Sequence, residues 1–169
     1  MLTFVPMNEL YARAIVCWRY DPPYDVYDPG AGDVEEKIQV LLDPQYAYRA
    51  ILSPEDELVA YCCFGADARV PGGDYDEDAL DIGLGVRPDR TGHGQGSTYV
   101  RAVLDYACSE YAPTVFRVTI AEFNVRAQRV WEQAGFQRIQ HFCSTHDGRP
   151  FLILVRKEEP SASRPERMQ

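Results

Sequence analysis

Short apolar runs alternate with segments of helical spacing along the first half of the chain. Residues 2–7 and the runs "YAYRAIL" and "LVAYCCFG" are rich in β-branched and aromatic residues, which predicts strands, and the turn "SPEDE" joins the two runs into an antiparallel hairpin. Apolar residues at helical spacing predict a helix over about 7–19 and a second one from residue 34 to Pro44.

The second half continues the alternation. The pattern predicts a strand at 79–86, a helix over about 94–109, a strand at 115–120, a helix over 124–134 ended by Gly135, and a closing hairpin of "FQRIQHFCST" and "PFLILVR". Three prolines exclude a regular helix from residues 20–33, so this segment is predicted to be a loop whose tyrosines either pin it to the core or line a pocket. Residues 158–169 have the composition of a disordered tail.

Composition limits the classes of function. A chain of 169 residues that is 46% hydrophobic suits one domain, predicted here to span residues 1–157. The net charge of −9 makes nucleic acid an improbable partner, and no apolar run approaches the roughly 18 residues that a membrane span needs. Five cysteines without C-x-x-C spacing suggest a reduced, cytoplasmic and soluble protein, and the three histidines have no metal-ligand spacing.

Gly92, Gly94 and Gly96 stand at alternate positions between the strand at 79–86 and the helix that follows it. Such a turn points several free N–H groups into one concavity, where the helix dipole adds positive potential, so the segment is typical of a phosphate-binding loop. The dinucleotide pattern fails because Tyr99 stands at its third glycine, and the Walker pattern fails because its lysine is missing. A plain helix entry would account for the glycines as well.

The segment "VRPDRTGHGQGS" resembles the phosphate loop [Q/R]-x-x-G-x-[G/A] of the GNAT superfamily of acyl-CoA-dependent N-acetyltransferases. Thr91 stands where that family usually has Gln or Arg, so one side-chain contact to the cofactor would be shorter and uncharged. A second family pattern, N-x-x-A-x-x-x-[Y/W]-x-x-x-G-F, matches "NVRAQRVWEQAGF", and the order of elements agrees over about residues 2–156.

The resemblance implies an α/β (α+β) fold with a mixed, mostly antiparallel sheet of about seven strands. The sheet would be splayed between its fourth and fifth strands and flanked by about four helices, with the pantetheine arm in the split. The implied partners are acetyl-CoA as co-substrate and an amine acceptor, with a possible homodimer and no metal. The residues implied in cofactor binding are Leu84, Gly85, Val86, Thr91, Gly92, His93, Gly94, Gln95, Gly96, Ser97, Asn124 and Trp131.

The chemistry implied by the resemblance is direct attack of an amine on the acyl thioester. A lysine-like amine has a reference pKa of about 10.4, so only about one molecule in a thousand is neutral near pH 7.4 and a proton acceptor is needed. Asp81 stands where many family members carry Glu and is the candidate acceptor, directly or through a water; the alternative is an ordinary strand-end carboxylate. A backbone N–H between Leu84 and Val86 would stabilise the developing oxyanion.

The family usually protonates the departing thiolate with a tyrosine on the helix after Asn124, where this chain has Trp131. Either solvent protonates the thiolate, or Tyr99 or Tyr24 takes over this step. Trp131 is then a packing wall against the pantetheine or a core residue.

The function expected is therefore transfer of an acetyl group to a primary amine of a small molecule or polypeptide. The tyrosine loop at residues 20–27, the strands after it and the acidic segment 74–81 would recognise the acceptor, and they weakly favour a cationic amine. Two alternatives remain, a non-catalytic acyl-CoA-binding module and a phosphate-binding interaction domain.

Overall fold

A computed structural model describes residues 1–158 of the 169-residue chain. The strands are β1 (Thr3–Pro6), β2 (Arg49–Leu52), β3 (Leu58–Phe64), β4 (Leu80–Val86), β5 (Val115–Ala121), β6 (Gln137–Cys143) and β7 (Pro150–Lys157). The helices are α1 (Glu9–Val16), α2 (Val34–Leu42), α3 (Gly96–Tyr111) and α4 (Val125–Gln133). The predicted disordered tail lies, except for Glu158, outside the described residues.

The seven strands form one mixed sheet in the order β1-β2-β3-β4-β5-β7-β6. Every neighbouring pair is antiparallel except β4 and β5, which are parallel. One core cluster joins the sheet to α3 and α4, and a second joins it to α1 and α2. The predicted fold class and the order of elements are confirmed.

Helix ends differ from the predicted ones for local reasons. Asn8 accepts a hydrogen bond from the Tyr11 amide and starts α1 two residues later than predicted. Gly94 has a φ of +73°, outside the helical region, so α3 begins at Gly96 instead of residue 94. The loop at 20–33 is irregular as predicted, but a short 3₁₀ turn spans Tyr24–Tyr27.

Side chains of β4 alternate between the two faces of the sheet. Leu80, Ile82, Leu84 and Val86 contact the cluster beneath α3 and α4. Asp81, Gly83 and Gly85 therefore face the side that carries α1 and α2. On that side, the ring of Tyr61 covers Gly85, where an added Cβ would lie 2.4 Å from the ring.

Candidate active site

A gap opens between β4 and β5 near the middle of the sheet. The two strands pair at only two positions, Leu80 with Phe116 and Asp81 with Arg117. Beyond them β4 continues to Val86 and β5 continues to Ala121 without further pairing to each other. The predicted splay between the fourth and fifth strands is confirmed, and it leaves one edge of each strand open within the sheet.

Backbone groups of β4 point into this gap. The Arg87 amide donates to the Val59 carbonyl at 2.9 Å, and the Gly65 amide donates to the Asp81 carbonyl at 3.0 Å. The backbone groups of the odd-numbered residues Asp81 and Arg87 therefore face β3. Backbone groups alternate sides along a strand. The N–H groups of Leu84 and Val86 therefore face the gap, as required of the predicted oxyanion donors.

The glycine loop leads from β4 to α3. Gly92 and Gly94 have φ values of +77° and +73°, which glycine adopts without strain. No backbone carbonyl within residues 1–158 accepts a hydrogen bond from the amides of residues 92 to 97, and Gln95 provides no side-chain cap for α3. These amides stand at the positive end of a 16-residue helix, an arrangement suited to phosphate oxygens.

The third glycine of the loop has a packing role. A Cβ at Gly96 would lie 3.0 Å from a methyl group of Val130, so this glycine lets α3 and α4 approach each other. Gly96 therefore serves the packing of the two helices, whereas the positive φ values of Gly92 and Gly94 shape the loop itself. The side chains of His93, Gln95 and Ser97 are exposed, whereas Thr91 donates its hydroxyl to the Pro88 carbonyl at 2.8 Å.

A cleft of about 480 Å³ lies between the tyrosine loop, residues 20–27, and the glycine loop. Its charged or ionisable lining side chains are Arg19, Tyr20, Asp21, Tyr24, Asp89, His93 and Arg126. Arg126, in the first turn of α4, places its guanidinium carbon 4.0 Å from the centre of the Tyr24 ring. Tyr24 thus belongs to the cleft beside the glycine loop.

The tyrosine loop contacts both edges of the gap. The Tyr20 hydroxyl donates to the Val86 carbonyl at 2.7 Å, and its burial raises the pKa of Tyr20. On the other edge, the rings of Tyr24 and Tyr27 each lie 5.7 Å from the ring of Phe123, just after β5. The loop therefore bridges the two strands where the sheet is open.

Asp81 lies at the closed end of the gap and is 1% exposed. Arg117 donates to both of its carboxylate oxygens, at 2.6 and 2.8 Å, and Arg69 donates to one of them at 2.8 Å. The Arg117 side chain is itself 2% exposed, and its other terminal nitrogen donates to the Glu77 carbonyl. Both oxygens are thus occupied by guanidinium groups, so the role of Asp81 as proton acceptor stays a prediction with a structural role beside it.

The other predicted residues separate in space. Tyr99, on the inner face of α3, is buried in the core, and this burial raises its pKa. Trp131 belongs to the same core and packs edge-on against Phe136, with ring centres 5.0 Å apart. Asn124 caps α4 by accepting from the Ala127 amide at 3.1 Å, and its amide nitrogen approaches the Tyr27 hydroxyl at 3.4 Å.

Three arginines of the site escape prediction from sequence. Arg69 and Arg117 partner Asp81, but nothing in their local sequence indicates that they meet. Arg126 has a detectable signal, since it puts a positive charge in the first turn of a helix, where the dipole disfavours cations. That signal becomes informative only once α4 is known to begin beside the glycine loop.

The family assignment follows from a comparison with known protein families. The model of the "Acetyltransferase (GNAT) family" matches residues 8–136, which include the glycine loop and the whole of the Asn124 motif. The chain belongs to the GNAT acetyltransferase family. No curated protein matches it in a sequence search.

Solved GNAT structures share the fold. A GNAT-family acetyltransferase from Bacillus anthracis is 18% identical with a TM-score of 0.72, covering 92% of this chain and 94% of that one. A chimera of the spermidine N-acetyltransferase SpeG from Vibrio cholerae and hSSAT is 15% identical with a TM-score of 0.71, covering 92% and 95%. The aminoglycoside acetyltransferase AAC(6')-Ib in complex with coenzyme A is 20% identical with a TM-score of 0.69, covering 93% and 95%.

Two kinds of feature are absent from the described part of this GNAT chain. Within residues 1–158 no three His, Cys, Asp or Glu side chains are grouped as a metal ion would need. In the same part of the chain, no helix has the length and apolar character to cross a membrane.

Proposed function

We propose that this GNAT enzyme transfers an acetyl group from acetyl-CoA to a primary amine by direct attack in a ternary complex. The observation that carries the proposal is two groups of main-chain donors that are unpaired within residues 1–158: the amides of residues 92–97 in the glycine loop, and the N–H groups of Leu84 and Val86 in the gap. Such donors suit a diphosphate at one end and the polar groups of an acylated thiol arm at the other.

The residues present fit CoA at several points. The amides of residues 92–97 would hold the diphosphate, with His93, Gln95 and Ser97 exposed beside it. Bound acetyl-CoA supplies the thioester whose C–S bond breaks as the new C–N bond forms. The N–H groups of Leu84 and Val86 would stabilise the oxygen that becomes negative in that step.

The proton of the attacking amine needs an acceptor, and Asp81 remains the candidate. In the resting arrangement, Arg69 is its more accessible partner, with a side chain that is 41% exposed. We propose that a water reaches Asp81 on the Arg69 side, because Arg117 is fully buried on the other. Tyr99 and Tyr24 remain candidates for protonating the thiolate, with solvent as the alternative donor.

The acceptor proposed is a cationic amine. The tyrosine loop borders the gap on one side, and the acidic segment 74–78 precedes β4 and contacts Arg117 through the Glu77 carbonyl. Aromatic faces and carboxylates both attract ammonium groups. The proposal includes a cytoplasmic location, in keeping with five cysteines that are all unpaired.

A non-catalytic acyl-CoA-binding module is the second candidate, because Asp81 is neutralised by two arginines and Trp131 is a core residue. Thiol release from acetyl-CoA, measured across a library of polyamines, aminoglycosides and amino-terminal peptides, separates the two functions. Turnover with any amine is the result we expect. Tight CoA binding without thiol release for every amine would favour the binding module instead.

Substituting Gly94 by Val is expected to weaken CoA binding by about 10- to 100-fold. A β-branched residue is strained at the positive φ of this position, so the backbone would shift to a negative φ and reorient one or two of the phosphate-binding amides. Gly148 offers a matched control in the β6–β7 turn. Its φ is +75° against +73° for Gly94, and neither glycine has an atom within 4 Å of an added Cβ. Titration calorimetry should show near-native CoA affinity for Gly148→Val; equal affinities for both variants would refute the placement of the diphosphate.

A further inference from the structure

Arg126 lies in the cleft beside the glycine loop and has no carboxylate partner among residues 1–158. Arg126 appears in no ion pair and donates no hydrogen bond among residues 1–158, although the chain carries a net charge of −9. It occupies the second position of α4, where the partial positive charge of the helix terminus opposes a guanidinium. A bound anion would relieve that opposition.

Two other charged side chains of the cleft lining, Arg19 and Asp89, are already engaged. Arg19 donates to the carbonyls of Val16 and Trp18 at 2.8 and 2.7 Å. The Asp89 carboxylate accepts two hydrogen bonds from Arg87, at 2.7 and 3.0 Å. Arg126 is thus the arginine of this lining whose N–H donors remain available. The carboxylate of Asp21 also belongs to the lining.

Arg126 is also held in place. Its guanidinium lies over the Tyr24 ring, and a Cβ at Gly92 would come within 3.2 Å of its Nη1 atom. The missing side chain at Gly92 therefore makes room for Arg126 next to the amides of the glycine loop. Stacking on an aromatic ring leaves the edge of a guanidinium free for a bidentate contact with phosphate.

We propose that Arg126 is a phosphate-binding residue for CoA, supplying from α4 the charged contact that Thr91 does not supply from the glycine loop. Thr91 is short, uncharged and hydrogen-bonded to Pro88. Because Arg126 rests on Tyr24, phosphate binding and the position of the tyrosine loop are linked through this one stack. The inference rests on the proposed use of CoA and adds a residue at a position that neither of the two motif patterns given above specifies.

Titration calorimetry with CoA tests this assignment. Arg126→Gln is expected to raise the Kd by about 10- to 30-fold, the effect of losing one charge-assisted hydrogen-bond contact to a phosphate. Arg129→Gln is the matched control, since it removes the same charge one turn further along α4 from an exposed residue outside the cleft lining. Its Kd should stay within about twofold of the native value.

Moving the positive charge from position 126 to another residue of the cleft makes the test specific. Thr91→Arg in the Arg126→Gln background should recover most of the lost affinity, because it returns a guanidinium to the lining of the same cleft. Tyr24→Ala should weaken CoA binding by a smaller factor, and combining it with Arg126→Gln should add little more, because the two residues act as one unit. Additive effects would overturn the proposed link to the tyrosine loop.

Dephospho-CoA distinguishes the phosphate groups. A penalty for Arg126→Gln that disappears with dephospho-CoA assigns the contact to the 3′-phosphate, and one that persists assigns it to the diphosphate. An Arg126→Gln protein that binds CoA as tightly as the native protein would overturn the assignment while leaving the proposed function intact. Native protein that binds no CoA would instead contradict the proposed function.

Discussion

Replacing Asp81 by Asn is expected to lower the free energy of unfolding by about 3–5 kcal/mol, because it leaves a buried charge without its partner. Arg117 is 2% exposed and directs two of its donors at the Asp81 carboxylate. An asparagine at this position can accept with one oxygen but carries no charge, and its NH₂ group would face the guanidinium. Urea denaturation followed by circular dichroism measures the change.

An exposed ion pair provides the control for this substitution. Asp89 pairs with Arg87 at 2.7 Å but is 61% exposed, so Asp89→Asn should cost less than about 1 kcal/mol. The double variant Asp81→Asn/Arg117→Gln, which removes both buried charges, should be more stable than Asp81→Asn alone. Similar stabilities for Asp81→Asn and Asp89→Asn would show that the buried pair does not stabilise the fold.

The pH–rate profile of Asp81→Asn isolates a catalytic contribution from this structural effect. If Asp81 accepts the amine proton, turnover of the folded variant falls by about 10²- to 10⁴-fold and recovers as pH rises toward the pKa of the amine. A purely structural role lowers the fraction of folded enzyme without changing the shape of the profile. Parallel profiles, after correction for folded protein, would remove Asp81 from the proton transfer.

Replacing Trp131 by Ala is expected to lower the free energy of unfolding by about 3–5 kcal/mol, because it leaves a large cavity in the core. Trp131 is 6% exposed and packs edge-on against Phe136 beneath the sheet. Trp131→Phe retains most of the apolar volume and should cost clearly less. Chemical denaturation of both variants gives the comparison.

Ile139 is the control for truncation of a large apolar side chain. It is 55% exposed on β6, so Ile139→Ala should change the free energy of unfolding by less than about 1 kcal/mol. A loss for Trp131→Ala that is no greater than that for Ile139→Ala would contradict the core assignment. A fall in CoA affinity without a fall in stability would instead support the wall against the pantetheine.

The elements of the fold were predictable because each carries its own periodic pattern and its own stop signal. Pro44 and Gly135 end predicted helices close to where the structure ends them. The gap between β4 and β5 was expected only through the family resemblance, because the pattern of a strand does not tell which of its edges is paired. Glycine inside a strand often marks a place where another group comes close, and in β4 the Tyr61 ring makes that approach at Gly85.

The side-chain partners in the site were not predictable. Asp81 and Arg117 are separated by 36 residues, and their contact depends on the parallel register of two strands. Arg126 meets Gly92 and Tyr24 only because α4 begins beside α3 and the tyrosine loop crosses the gap. Contacts of this kind follow from tertiary packing, to which local propensity and motif spacing are insensitive.

The alternation of backbone groups along β4 has a consequence for how this site can change over evolutionary time. The N–H groups of Leu84 and Val86 belong to the main chain, so substitutions there can reshape the core without deleting a donor toward the gap. Proline alone removes the hydrogen. Under the proposed function, most substitutions at these two positions would therefore leave the donors to the acyl group unchanged, while substitutions among the surrounding tyrosines would alter the choice of amine.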